Sequence, residues 1–157
     1  MRSGVRLGVD VGTVRIGVAQ SDRDGILATP VETVTRDEAS CAKILEIASE
    51  REAIEIYVGL PKNLSGSHSA STDDAVGFAH ALASVSKIPV RLIDERLTTV
   101  SAHAALRSSG RQASRARSVV DQVAAVMLLQ HALDSERAQD IVPGTSIADY
   151  NLGRPNE

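Results

Sequence analysis

Cysteine and aromatic side chains are scarce in this chain of 157 residues, and tryptophan is missing altogether. The one thiol, Cys41, excludes an internal disulfide framework and a cysteine-based zinc site, and it fits a reducing compartment. Two Tyr and one Phe cannot furnish the stacking platform that sequence-tolerant single-strand binders use. No apolar run approaches the roughly 20 residues of a membrane span. Charged and turn-forming residues interrupt the N-terminus too early for a signal peptide. These absences lead to the expectation of a soluble, cytoplasmic protein with no membrane partner. The four histidines, His68, His80, His103 and His131, are scattered and do not show a zinc-ligand spacing. Neither a Gly-x-Ser-x-Gly elbow nor a Walker loop occurs, which sets aside serine hydrolases and P-loop enzymes.

What is present fits one globular domain. Hydrophobic residues make up 43% and charged residues 24%, enough for a packed core without disulfides. The formal net charge is −3, yet the charge is unevenly spread. Residues 96 to 120 contain Arg96, Arg107, Arg111, Arg115 and Arg117 and neither Asp nor Glu. Arginine suits bidentate contact with phosphate. A local basic patch on an acidic protein therefore points to an anionic substrate held in place, or else to a solvated helix face.

Val5, Leu7 and Val9 alternate along a first strand, which ends at Asp10. The turn signal at Val11-Gly12-Thr13 joins it to a second strand over residues 15 to 20 in a hairpin. After a turn at Asp22-Arg23-Asp24-Gly25, a third strand is expected within residues 26 to 35, bent or edged by Pro30. A helix over residues 37 to 52, a buried strand over 54 to 60 and an exposed loop over 63 to 72 follow. Ser71 or Thr72 should cap the next helix, which runs to about residue 86. A fifth strand covers residues 89 to 93, then helices cover 99 to 110 and 115 to 135. The last of these is apolar nearly all round from residue 119 to 133 and should be deeply packed. The order predicts an α/β protein with a five-stranded mixed sheet flanked by helices: a domain over residues 1–137 and a loosely structured tail over 138–157. The ribonuclease H-like fold and the related subdomain of actin-like ATPases both begin this way.

Three acids stand where chemistry can be done. Asp10 closes the first strand between Gly8 and Gly12, which leave room for a metal or phosphate near the backbone. The alternative is an aspartate that only accepts hydrogen bonds in its turn. Glu95 follows the fifth strand within Asp94-Glu95-Arg96. Adjacent strand residues face opposite ways, so only one of Asp94 and Glu95 can share a site with Asp10. A salt-bridged acid at a helix entry is the alternative. Asp121 lies in the most apolar helix, where a charge is costly unless paired or metal-bound. Arg117, four residues earlier, could be that partner. Taken together, Asp10, Glu95 and Asp121 form a candidate set for a hard divalent cation, Mg²⁺ or Mn²⁺.

The segments Leu7-Gly8-Val9-Asp10-Val11-Gly12-Thr13 and Arg15-Ile16-Gly17-Val18-Ala19 resemble the opening motif of the YqgF/RuvX family. Val58-Gly59-Leu60-Pro61, Asp94-Glu95-Arg96-Leu97-Thr98-Thr99 and Val120-Asp121-Gln122 with Ala124-Ala125 are similar to its other motifs, in order. These proteins are ribonuclease H-like and are described as pre-16S rRNA nucleases or Holliday junction resolvases. The resemblance implies that Asp10, Glu95 and Asp121 bind metal and carry catalysis. Val14 stands where the family commonly has Lys, so a phosphate contact there would fall to Arg15. The fourth strand ends without an acid, and Glu95 on the neighbouring strand would take its place.

The reading that results is a metal-dependent endonuclease acting on structured nucleic acid, with 5′ maturation of 16S rRNA as the first expectation. Arg15, Arg96, Arg107, Arg111, Arg115 and Arg117 would hold the phosphate backbone. Junction resolution in DNA is the alternative, and the chain is compatible with a homodimer. From other classes come a nucleotide-binding actin-like domain and a catalytically silent nucleic-acid-binding subunit. Actin-like proteins clamp nucleotide between two such domains, for which 157 residues leave no room.

Overall fold

Strand β1 (Arg6–Val11) is buried on both faces, and this organises everything around it. Leu7 and Val9 enter one apolar cluster, while Gly8 faces a helix on the opposite side of the sheet. The computed structural model describes residues 1–61, 70–94 and 113–152, with side chains at all of these except 113–121 and 151–152. Among the described residues, β1 is followed by β2 (Arg15–Ser21), β3 (Ala28–Thr35), α1 (Ser40–Glu50), β4 (Glu55–Leu60), α2 (Ala70–Val85) and β5 (Val90–Asp94). Helix α3 (Ala113–Gln139), β6 (Thr145–Ser146) and α4 (Ile147–Leu152) complete the order. The helix expected over residues 99 to 110 lies outside the described residues.

The sheet runs β3-β2-β1-β4-β5-β6. β1, β4 and β5 are parallel to one another, and the hairpin partners β2 and β3 and the short β6 are antiparallel to their neighbours. This is the mixed α/β sheet the element order predicts, with six strands instead of five. The extra strand is only two residues long, too short for periodicity to reveal. It lies in the segment expected as a loose tail. That segment folds back because Arg91 donates to the carbonyls of Pro143 and Gly144, both at 2.7 Å. Gly144, at φ 74°, supplies a backbone conformation that side chains rarely adopt. Ile147 then joins the core.

Helices α1, α2 and α4 cover one face, where Ile44, Ile47, Val76, Phe78, Ala79, Leu82 and Ile147 pack on Leu7, Val9, Ile56, Val58 and Leu92. Helix α3 covers the other. It buries Ala124, Ala125, Leu128, Leu129, Ala132 and Leu133, one stripe at helical spacing, against Ala19, Ala28, Tyr57 and Ile93. The expectation of burial all round the helix is therefore corrected: Val123, Val126 and Met127 are only half-buried. Among the described residues α3 is the sole helix in that cluster.

Element ends differ from the sequence reading for local reasons. The Asp22 carboxylate accepts the Ile26 and Leu27 amides at 2.7 and 3.0 Å, which keeps both residues in the turn and starts β3 at Ala28. Pro30 lies on this edge strand, where the register skips Val31. At the entry to α1, Asp37 accepts the Ala39 amide at 2.8 Å and Ser40 Oγ accepts the Asp37 amide at 2.7 Å. Residues 37 to 39 are thus a lead-in turn, and the helix opens at Ser40. Ser71 and Thr72 sit inside α2 and do not cap it. The Thr72 hydroxyl donates instead to the Pro61 carbonyl, tying α2 to the end of β4.

Candidate active site

Strand alternation puts Asp10 on the same face as Gly8, the face covered by α3. A Cβ at Gly8 would meet Leu129 Cβ at 2.8 Å and the Ala125 carbonyl at 2.9 Å, so strand and helix touch backbone to backbone. Two strand residues further on, about 6.6 Å, stands Asp10. Helix α3 runs the opposite way along β1, since Arg6 meets Glu136 while Gly8 meets Ala125 and Leu129. One helical turn before Ala125, about 6 Å back, is residue 121. The backbone of residue 121 is therefore brought abreast of Asp10 by the α3–β1 contact. The side chain of Asp121 lies outside the described residues.

Val9 is in register with Val58, and Gly59 with Ile93. Asp10 thus shares a row across the parallel strands with Gly59 and Ile93. Ile93 packs on the α3 face, and the described part of the chain leaves β5 at Asp94. Glu95, Arg96, Arg107 and Arg111 lie outside the described residues. Arg115 and Arg117 are in the first turns of α3, without described side chains. Arg15 is half-buried at the start of β2, at the same end of the sheet as Asp10. Among the described residues no three His, Cys, Asp or Glu side chains group closely enough to hold a metal ion. Two members of the candidate set are not among them.

The turn joining β1 to β2 is held tightly. The Gly12 amide donates to the Arg15 carbonyl at 2.9 Å, and a Cβ at Gly12 would stand 2.5 Å from that same oxygen, so only glycine fits. Arg36, just after β3, fastens the turn from the side. Its amide donates to the Val14 carbonyl at 2.9 Å and its Nη1 to the Gly12 carbonyl at 2.8 Å. The same guanidinium forks onto Asp74 of α2 at 3.0 and 2.9 Å and lies 5.0 Å from the centre of the Phe78 ring. The Arg36 hydrogen bonds hold the Asp74 carboxyl below the usual carboxylate range. No sequence signal pairs residues 36 and 74; only the stacking of α2 beside the β1–β2 turn does.

At the other end of β1 is a buried ionic cluster that periodicity does not reveal. Arg6 is fully buried and donates to the carbonyls of Gly4 and Arg2, both at 2.8 Å, and to Glu136 at 3.3 Å. Arg2 bridges Glu55 and Glu136, each at 2.8 Å, and the Tyr57 hydroxyl donates to Glu55 at 2.7 Å. The Arg2 hydrogen bonds lower the Glu136 carboxyl to about 2, while burial pushes the Tyr57 phenol well up. This cluster pins the last turns of α3 to the start of β1. A cavity of about 410 Å³, lined by Leu45, Ala48, Val85 and Ile88 among others, also opens at this far end, away from Asp10.

The order of the mixed sheet, with an acid at the end of its central strand, is that of a ribonuclease H-like fold. A solved structure titled "T. thermophilus RuvC in complex with Holliday junction substrate" superposes with a TM-score of 0.56 at 18% identity, covering 91% of this chain and 99% of that one. The chain belongs to the RuvX family: the model described as "Holliday junction resolvase" matches residues 4–135. A protein of Leifsonia xyli subsp. xyli named "Putative pre-16S rRNA nuclease" is 62% identical over 146 residues, 92% of this chain and 94% of that protein. One of Clavibacter michiganensis with the same name is 57% identical over 150 residues, 94% of this chain and 93% of that protein. Among the described residues no helix is long and apolar enough to cross a membrane.

Proposed function

We propose that this chain is a divalent-metal-dependent endonuclease that trims the 5′ end of precursor 16S rRNA. The observation that carries the reading is the position of Asp10: the carboxyl end of the central strand, on the face where α3 brings residue 121 level with it. The relatives' shared name supplies the substrate. Asp10, Glu95 and Asp121 are the residues that would hold Mg²⁺ or Mn²⁺. Carboxylate oxygen is the donor such hard cations take, and the bare backbone at Gly8 lets strand and helix come close enough to share them. Asp94 alternates to the face opposite Ile93, which is the basis for leaving it out of the set, and the family resemblance is the basis for naming Glu95. When bound, the cation lowers the pKa of a water and neutralises charge growing on the phosphoryl and leaving oxygens.

The remaining work falls to the chain itself. A β1 fixed on both faces holds Asp10 without conformational search, which keeps reacting groups in line. Arg15, Arg96, Arg107, Arg111, Arg115 and Arg117 would bind phosphates and set the register of the nucleic acid. The family model's description and the RuvC structure's title favour a second reading, resolution of four-way DNA junctions.

The test is cleavage of end-labelled precursor 16S rRNA and of a four-way DNA junction, side by side, with Mg²⁺ and with Mn²⁺. Parent protein should cut the RNA near its 5′ end. Asp10→Asn, Glu95→Gln and Asp121→Asn should each lose more than the about 10–100-fold typical of outer-shell metal partners, with binding retained. Preferential cutting of the junction would install the second reading. Binding with no cleavage by the parent would make the chain a silent nucleic-acid-binding subunit.

A further inference from the structure

We infer that Arg36 is a positioning residue for Asp10, a clamp that joins the β1–β2 turn to helix α2; its bearing on catalysis rests on the function proposed above. Four contacts of one side chain meet at this point. Nη1 donates to the Gly12 carbonyl at 2.8 Å, the guanidinium forks onto Asp74 at 3.0 and 2.9 Å, and its plane lies over Phe78 at 5.0 Å. Phe78 is itself buried in the core, so the platform under the cation is fixed. Gly12 is two residues from Asp10, and its amide is already committed to the Arg15 carbonyl. With donor and acceptor of the same residue both held, the peptide planes that lead out of Asp10 have little freedom.

The other end of the clamp is equally placed. Asp74 stands on the second turn of α2, the helix whose Thr72 hydroxyl bonds the Pro61 carbonyl at the end of β4. Arg36 therefore ties the turn that follows β1 to the start of α2, which Thr72 in turn fastens to the end of β4. A side chain serving only solubility would not donate to a carbonyl beside a candidate catalytic acid while sharing a bidentate pair. Only Arg can do both at once, because its fork presents separate donors in one plane, whereas Lys offers a single point charge.

Arg36→Ala, Arg36→Lys and Asp74→Asn test the clamp, at a temperature well below the melting point of every variant. Hydrogen exchange should show the Gly12 and Arg36 amides opening at least about 10-fold faster in Arg36→Ala, with amides of α3 unchanged. The Mn²⁺ dissociation constant should rise, and kcat on the cleaved substrate should fall about 10–100-fold, the scale of a misplaced catalytic group, with KM within about twofold. Arg36→Lys and Asp74→Asn should show the same changes at smaller size. That graded order matters if Arg36→Ala folds poorly, since the two milder variants then decide. Unchanged exchange at Gly12 overturns the clamp. Faster exchange with kcat and Mn²⁺ affinity intact overturns the link to Asp10, as does a loss confined to KM. If the parent cleaves no nucleic acid, the proposed function falls, and exchange together with Mn²⁺ affinity still decides the clamp.

Discussion

Arg6 and Glu136 illustrate how much a single buried residue commits the rest of the chain. A guanidinium with no solvent exposure is costly unless its donors are met; here two backbone carbonyls and a carboxylate meet the Nη donors, while among the described residues Nε–H has no partner. Glu136 ordinarily titrates near 4.5 and in the fold near 2, because Arg2 and Arg6 favour its charged form. Its contribution is therefore complete above about 4.5 and is lost as the pH falls through about 2. Glu136→Gln should lower stability at pH 7 by about 3 kcal/mol, the scale of a buried pair broken on one side. The gap between parent and variant should narrow steadily as the pH is taken down towards 2. Urea titrations at pH 7, 4 and 2.5 measure it, and a gap of constant size would mean that the charge of Glu136 does not stabilise the fold.

Among the elements, β1 and α3 meet backbone to backbone. Their contact at Gly8 leaves no space for a methyl group, and the atoms in the way include the Ala125 carbonyl, which is backbone and cannot swing aside. Gly8→Ala should cost about 1–3 kcal/mol through overpacking. It should also reduce hydrolysis beyond what the stability loss explains, because the helix pushed away is the one that carries Asp121 past Asp10. Gly77→Ala in α2 is the matched control, since nothing stands within 4 Å of its added carbon. That change should raise stability by up to about 1 kcal/mol through helix propensity and leave cleavage unaltered. Chemical denaturation and the cleavage assay on the two variants separate close approach from loss of glycine as such.

At the scale of the whole molecule, an acidic protein of net charge −3 carries five arginines and no Asp or Glu over residues 96 to 120. If Arg111 and Arg115 contact phosphates, replacing both by Ala should weaken binding to every nucleic acid sequence alike. The slope of log affinity against log salt should become shallower by about one unit per lost contact. Binding titrations between 50 and 200 mM salt check this, and an unaltered slope would assign the two residues to solubility. Where the end of the chain goes is also a question of this scale. The two residues of β6 add an edge to the sheet only because Arg91 and Gly144 hold the returning segment in place.

The sequence by itself was sufficient for the kind of fold and for proposing Asp10, Glu95 and Asp121 as candidate acids. Alternation marks β1, a short unbroken apolar run marks β4, and a longer apolar stretch marks α3. An aspartate next to glycine at a strand end, and another amid alanines, stand out because a charge there needs a reason. These are local regularities, legible over a dozen residues. What only the tertiary structure decided is how distant segments meet. The fork of Arg36 onto Asp74, 38 residues away, has no local signature, nor has the bond from Arg6 to Glu136, 130 residues away. The level of residue 121 beside Asp10 likewise follows from the direction and depth at which α3 lies on the sheet. Ion pairs and close backbone contacts are made between surfaces, and the sequence orders residues along a line, so these relations exist only once the chain has folded.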